Sequence, residues 1–553
     1  MKLERLTGTV GAEVRGVDAD QLLFDENAPG KEALRYLAAS IPSIKDDMQR
    51  LVAFARQAEY LADVLWNDPL FRARVAALQA ELDALEQMLA RAMLTGDGLA
   101  LLARIAGSQL QQKVGDLVAE AIGPYGLAQD PPESGGQAAD GSPGPLEVPG
   151  ANSILAFRDT AALGNGEALG EIVAATDPRL SGTKAGPTLP EADAKLRDAI
   201  DRFAAAEYAP PKRAELLAAN RDNWDRFAAM GWLGLGIPEE AGGLGSALTA
   251  MMLVAERLGA GLAMESFAGN IVYPSVALQA LLDPAGAAKL LAPAVAGRIR
   301  LAVACHEAPA RGGLRWTNTR ATPDKGGYVL EGCKVAVDGG GTASAYLVSA
   351  RTAGEVYDPF GHSLFLVPRD APGLKVSAWR MAGGSDMAAL ELDGVRVPEE
   401  ALLGEPGTAL VASGAGMDAA IVANAFGVVG AMEAALAATA GLLHEDAGPV
   451  DPRFLRQSCA DMLVALEQAR SAALLGLASL SQPDGRQRAY VTSATKAVVV
   501  RASKVVCGQA IQLHGGIGVP KDGRIDHFSH FAEAANSLRG SLDFHLGRMA
   551  MLM

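Results

Sequence analysis

The residues best placed to hold a ligand lie near the C-terminal end. Gln512-Leu513-His514-Gly515-Gly516-Ile517-Gly518 closes a long helical stretch with adjacent glycines, and glycines let backbone approach a bound group closely. A tight turn between two helices would use the same residues. Further on, His527 and His530 stand one helical turn apart with Asp526 adjacent. These are metal-ligand types, but a solvated or core-lining histidine pair explains them more simply, so no metal is expected. Gly234-Leu235-Gly236 lacks the third glycine of a dinucleotide fingerprint, Glu239 standing in its place. There is no Ser-His-Asp context, P-loop or zincin pattern. Cys305, Cys333, Cys459 and Cys507 are far apart without a CxxC pair, which argues against a disulfide framework or zinc ribbon and fits a reducing compartment.

Elements must position these residues, and the chain is long enough to supply them. Its 553 residues suggest about three to five domains. It is 49% hydrophobic and 20% charged, ample for sizeable cores and too apolar for disorder. The 64 acidic against 49 basic residues, net charge −15, argue against a nucleic-acid surface. No apolar segment follows the charged start Met1–Arg5. The longest apolar stretch, Ala419 to Met432, is bounded by Asp418 and Glu433; it is too short to span a bilayer and reads as a buried helix. A cytoplasmic protein with no membrane partner is expected.

Residues 1–30 are unassigned, with short β-like pieces around Gly8, Gly11 and Gly16. From 31 to 127 apolar residues recur at helical spacing, as in Met48, Leu51, Val52 and Phe54, then Leu78, Leu82, Leu85 and Leu89. Gln129–Gly150 is rich in Gly, Pro and Ser and reads as a loop within the unit 31–180. A weaker loop covers 177–190. Residues 191–300 are helical again, broken at Gly231–Pro238. The period then switches to two over 301–404. Tyr328–Val337 reads as a hairpin, as does Leu390–Val397 around an Asp393-Gly394 turn. Ala345–Ala350 and His362–Val367 read as strands, and 405–553 is helical. An internal repeat links the two halves: Ala84-Leu85-Glu86-Gln87 recurs as Ala465-Leu466-Glu467-Gln468, and Ala121–Leu127 resembles Leu513–Val519.

The order helical, β, helical resembles the acyl-CoA dehydrogenase family, and five ordered motifs carry the resemblance. Met230-Gly231-Trp232-Leu233-Gly234-Leu235-Gly236-Ile237-Pro238-Glu239-Glu240, then Gly242-Gly243-Leu244-Gly245, is similar to the family's N-terminal segment. Ala255-Glu256-Arg257-Leu258-Gly259 resembles the helix after it. Gly332 with Lys334 resembles a strand of the middle domain, and Val395-Arg396-Val397-Pro398 with Leu403-Gly404 its exit. Gln512–Gly518 resembles the C-terminal glycine loop. Residues 31–180 resemble a truncated C-terminal domain of a preceding unit, through Gly107–Gln112, Ala121–Leu127 and Arg158–Ile172.

The resemblance implies a mainly α fold with a central β-domain: an α-helical N-domain, a β-barrel-like middle domain and a C-terminal four-helix bundle. It implies FAD, acyl-CoA substrates from lipid or steroid catabolism, homo- or hetero-oligomers of such subunits, and an electron-transfer flavoprotein or other acceptor. It places Gln512, His514, Gly515 and Gly516 in the loop that reaches a neighbouring subunit's FAD. His306 falls where a hydroxyl would bond the flavin ring, and Asp338 where another hydroxyl is expected. Leu442–Pro449 lacks the arginine for the pyrophosphate. Arg539 stands where one branch of the family has its catalytic carboxylate, and it stays protonated at neutral pH. Ala420 stands where the other branch has it. Asp418 lies about 200° around the helix from Ala420 and cannot simply substitute, and Leu163 offers no base in the first unit. Two functions follow: an FAD-dependent α,β-dehydrogenation of an acyl-CoA within an oligomer, or a non-catalytic subunit that partners a catalytic acyl-CoA dehydrogenase.

Overall fold

The computed structural model describes residues 2–6, 11–15, 31–57, 59–60, 63–95, 97–122, 190–442, 452–515 and 525–553. The loop expected at 129–150, the one at 177–190 except Pro190, the segments 123–127, 158–172, 443–449 and 516–519, and thus Gly516, lie outside them.

The amphipathic spacing in the first unit produces three helices, α1 (Lys31–Ala55), α2 (Pro69–Thr95) and α3 (Asp97–Ile122). Two short antiparallel hairpins flank α1: β1 (Lys2–Leu6) with β2 (Gly11–Arg15), and β3 (Glu59–Tyr60) with β4 (Asp63–Val64). Met48, Leu51, Leu78, Leu82 and Leu85 share one apolar cluster, which extends to Ala460 and Val464 near the other end of the chain. The unit therefore has no core sealed from the rest of the protein.

A second helical module follows: α4 (Glu191–Glu207), α5 (Pro210–Ala218), α6 (Trp224–Ala229), α7 (Leu248–Ala260), α8 (Tyr273–Leu281) and α9 (Pro284–Val295). A π-helical turn, Ala268–Val272, leads into α8. Trp232, in the glycine-rich break, packs at 5.3 Å from the rings of both Phe203 and Phe227.

The central module is a mixed eight-stranded sheet. Its strands are β5 (Leu301–Ala304), β6 (Arg320–Asp324), β7 (Gly327–Asp338), β8 (Ala345–Arg351), β9 (His362–Pro368), β10 (Leu374–Arg380), β11 (Asp386–Pro398) and β12 (Leu402–Leu403). They lie in the order β10-β11-β7-β6-β8-β9-β12, with β5 parallel to β8. The strands expected at 345–350 and 362–367 are β8 and β9. The two expected hairpins are each one continuous strand, β7 and β11, paired with each other. Gly394, at φ +65°, sits where the register slips between Leu392 and Val395. The Asp-Gly pair thus makes a bulge, because a long partner strand satisfies the hydrogen bonds that a turn would have closed on itself.

The C-terminal module comprises α10 (Ala409–Gly441), α11 (Pro452–Ser479), α12 (Gly485–Leu513), α13 (Ile525–Ser537) and α14 (Leu542–Leu552). Helix α10 contains the apolar run 419–432 and is long and apolar enough to cross a membrane by composition, but its apolar window is 78% buried within the fold. It crosses α7 closely enough that a Cβ on Gly430 would strike the Glu256 carbonyl. Arg470 of α11 binds Glu256 at 2.6 Å and Glu433 at 3.1 Å, joining three helices.

The helices α2 and α11, which carry the repeated Ala-Leu-Glu-Gln, pack against each other. Arg91 of α2 donates to Glu467 and Ser471 of α11 at 2.7 Å each. Where α2 also packs against α12, Asp83 accepts from Gln79 of its own helix at 2.9 Å and from Tyr490 of α12 at 3.4 Å. Burial, reinforced by the Glu86 carboxylate, raises Asp83 to about 6. Its folded value exceeds its unfolded one, so the folded state holds the extra proton, and stability is lost as pH rises from about 4 to 6. Asp83→Asn should therefore stabilise the protein by about 1–3 kcal/mol at pH 8, with the gain vanishing near pH 4. Urea unfolding at the two pH values measures it.

Candidate functional site

The three modules beyond residue 190 meet at a cleft whose floor is made from chain ends. β7 delivers Asp338, and β5 runs out into Cys305-His306-Glu307. The π-helical turn and α8 supply Gly269 and Tyr273, and the link between α13 and α14 is Leu538-Arg539-Gly540. Asp338 packs against the π-helical turn, where a Cβ on Gly269 would come within 2.6 Å of its carboxyl carbon.

The two oddest residues of the sequence prove to be partners. Arg539 Nη2 donates to Asp338 Oδ2 at 2.6 Å, across 201 residues of chain. Their side chains are 4% and 9% exposed, so water screens the pair little. The guanidinium also lies over the Tyr273 ring at 5.7 Å. Only one bond joins the pair: Asp338 Oδ1 and Arg539 Nε and Nη1 have no partner among the described residues. Arg539 holds a left-handed φ of +60°, which a non-glycine residue keeps only when its surroundings over-determine it. They do so here. His545 bonds the Arg539 carbonyl at 3.0 Å, and Lys496 of α12 donates to the carbonyls of Ala535 and Leu538 at 3.1 and 3.2 Å.

The electrostatics of the cleft follow from burial. His306 is pushed down to about 4 by desolvation, helped by Arg539 and Lys334. It is neutral at physiological pH, and neither of its ring nitrogens has a hydrogen-bond partner among the described residues. Desolvation likewise carries His545 to about 3 and Lys496 to about 7, with Arg539 adding to the Lys496 shift. Beneath them Lys334 binds Glu307 at 2.8 Å, and Glu307 also accepts from the Thr319 backbone at 3.0 Å and its hydroxyl at 2.7 Å. Lys334 and Glu307 tie β7 to the end of β5 and are not free for a ligand.

Among the described residues, neither expected base position carries a carboxylate, and Asp418 does not substitute. Ala420 is fully buried on α10. Asp418 accepts from Arg488 at 3.1 Å, Thr492 at 3.0 Å and Arg548 at 3.4 Å, so two guanidinium groups neutralise it. The cavity beside Asp338 is about 70 Å³, lined among others by Asn424, Gly427, Phe531 and Leu538.

Of the residues expected to touch a cofactor, only His306 among the described ones lies in this cleft; Gly516 is outside them. Gln512, His514 and Gly515 end α12, with Gly515 at φ +98°. They are about 25 Å along the helix from Lys496, at 1.5 Å per residue. The expected set is thus split between two places. Tyr273, Lys496 and His545 carry no sequence motif; charge complementarity between the anomalous Asp338 and Arg539 is the one signal that could have joined cleft residues in advance.

A helical module, a mixed sheet and a helical bundle meeting at one cleft define the acyl-CoA dehydrogenase fold, and the chain belongs to that family, whose members dehydrogenate acyl-CoA thioesters. The family's N-terminal, middle and C-terminal domains match residues 190–297, 311–395 and 411–553. A relative, the probable acyl-CoA dehydrogenase FadE25 of Mycobacterium tuberculosis, is 29% identical over 372 residues, which is 64% of this chain and 93% of the relative. Among solved structures, a probable acyl CoA dehydrogenase from Mycobacterium abscessus superposes with a TM-score of 0.60 at 24% identity, covering 66% of this chain and 99% of that one. The ChsE4-ChsE5 complex from Mycobacterium tuberculosis gives 0.58 at 23%, covering 66% and 97%.

Proposed function

We propose that this chain is a non-catalytic subunit of an acyl-CoA dehydrogenase assembly, in which a flavin-bearing relative supplies both cofactor and base. The observation that carries this reading is the buried Arg539–Asp338 pair. It sets a permanent cation at one expected base position and a carboxylate at an expected hydroxyl position, each held by the other.

The residues present do not fit FAD. Ligand pockets run to about 300–1,000 Å³, against about 70 Å³ beside Asp338. The Arg539 and Asp338 charges oppose each other at 2.6 Å, so the cleft offers a phosphate no net positive charge from this pair. The fold itself is kept whole, as a subunit that must still pack against relatives requires. In this reading His514 and Gly515, remote from this chain's own cleft, would serve a neighbouring subunit. The name of the ChsE4-ChsE5 complex records two different proteins together in this fold, a precedent for unlike subunits.

The visible absorption spectrum tests the reading. The purified chain, incubated with excess FAD and desalted, should show no flavin band, and co-expression with a flavin-bearing relative should yield a coloured complex containing both chains. A band retained by the chain alone and bleached by an acyl-CoA would establish instead that it dehydrogenates acyl-CoA by itself.

A further inference from the structure

Helix α13 begins with three residues that the cleft does not use. Asp526, His527 and His530 each bring one ligand atom to a common point, and the three atoms lie within 4.8 Å of one another. Among the described residues this is the one cluster of three metal-ligating side chains. Helical geometry explains the convergence. Positions 526 and 530 stack on one face, and 527 lies one turn from 530, so all three side chains overhang the same stretch of the first turn. Asp526 and His527 are half-buried and His530 is exposed, which leaves an open side.

We infer that this turn binds a borderline divalent ion of the Zn²⁺ class. Two imidazoles and a carboxylate match what such ions take, and a helical scaffold fixes their spacing before the ion arrives. Ligands about 2.1 Å from a tetrahedral zinc ion stand roughly 3.4 Å apart, so side-chain rotation alone can close the present separations. The neighbouring Arg213 is a cation, but its guanidinium is directed at the carbonyls of Leu262 and Gly383, at 3.1 and 2.6 Å, and Asp526 brings the compensating charge. The three protein ligands leave a fourth position for water. The ion would clamp the start of the helix whose far end leads to Arg539, and whose His530–Phe531 backbone abuts Gly383 of the sheet module. This inference does not depend on the reading of the cleft.

The test uses full-length protein without a histidine tag, titrated with Zn²⁺ against a competing chelator dye at about pH 7.5, where free histidine is mostly neutral. One Zn²⁺ per chain is expected, with an upward shift of the thermal midpoint. Mg²⁺ and Ca²⁺ should not compete. His530→Gln and Asp526→Asn should each weaken binding at least about tenfold, with unchanged circular dichroism. No stoichiometric binding, or equal binding by His530→Gln, overturns the site; the second result would place the ion elsewhere.

Discussion

Arg539→Ala should cost about 3–5 kcal/mol of stability, the usual loss when one partner of a buried ion pair is removed. The cause is what stays behind. Asp338 is 8% exposed, packed against the Gly269 turn, with one carboxylate oxygen already unpartnered; without Arg539 the whole charge is unpaired. Arg539→Gly should lose about 1 kcal/mol less than Arg539→Ala, because glycine carries no penalty at φ +60°. The double variant Asp338→Leu with Arg539→Met should recover most of the loss, since apolar residues of similar volume can replace a buried pair at little cost. Chemical denaturation of the four proteins measures these differences. A loss under about 1 kcal/mol for Arg539→Ala would mean that water reaches the pair, and the cleft would then be open.

Lys496 should make stability climb steeply with pH. Its ammonium is buried at 3% exposure and its affinity for the proton falls to about 7. The sign follows from proton counting. Between about pH 7 and 10.5 the unfolded chain holds a proton on Lys496 that the folded chain lacks, so raising the pH favours folding by up to about 1.4 kcal/mol per unit. Below pH 7 this contribution is gone. Relative to Lys496→Met, the wild type should gain about 3 kcal/mol of stability between pH 7 and 9.5, read as the change in the difference between their urea curves. A constant difference would show that Lys496 stays charged in the folded protein. In an Arg539→Ala background the total gain should shrink and begin at higher pH, because one of the two causes of the shift is removed.

The order of modules was legible because helix and strand patterns differ in period, and strands β8 and β9 and the buried helix at 419–432 follow directly from local sequence. The sheet was harder. Tyr328–Val337 and Leu390–Val397 carry the glycines of hairpins, and only the pairing of β7 with β11, set by residues about fifty or more positions apart, makes them continuous strands. The site divides in the same way. Asp338 and Arg539 stood out singly as wrong residues for their positions; that each answers the other is a tertiary fact. Lys496 and His545 carried no signal, since a lysine or histidine inside a helix titrates abnormally only when its neighbours exclude water.

The docking of α2 on α11 through Arg91 and Glu467 has a consequence for assembly. Two surfaces joined in one chain meet at an effective concentration on the order of millimolar, and dilution does not separate them. A free protein seeking the same face of the bundle would have to outcompete a tethered rival that is always present. In the proposed assembly, a partner would therefore dock on the faces that α1–α3 leave open.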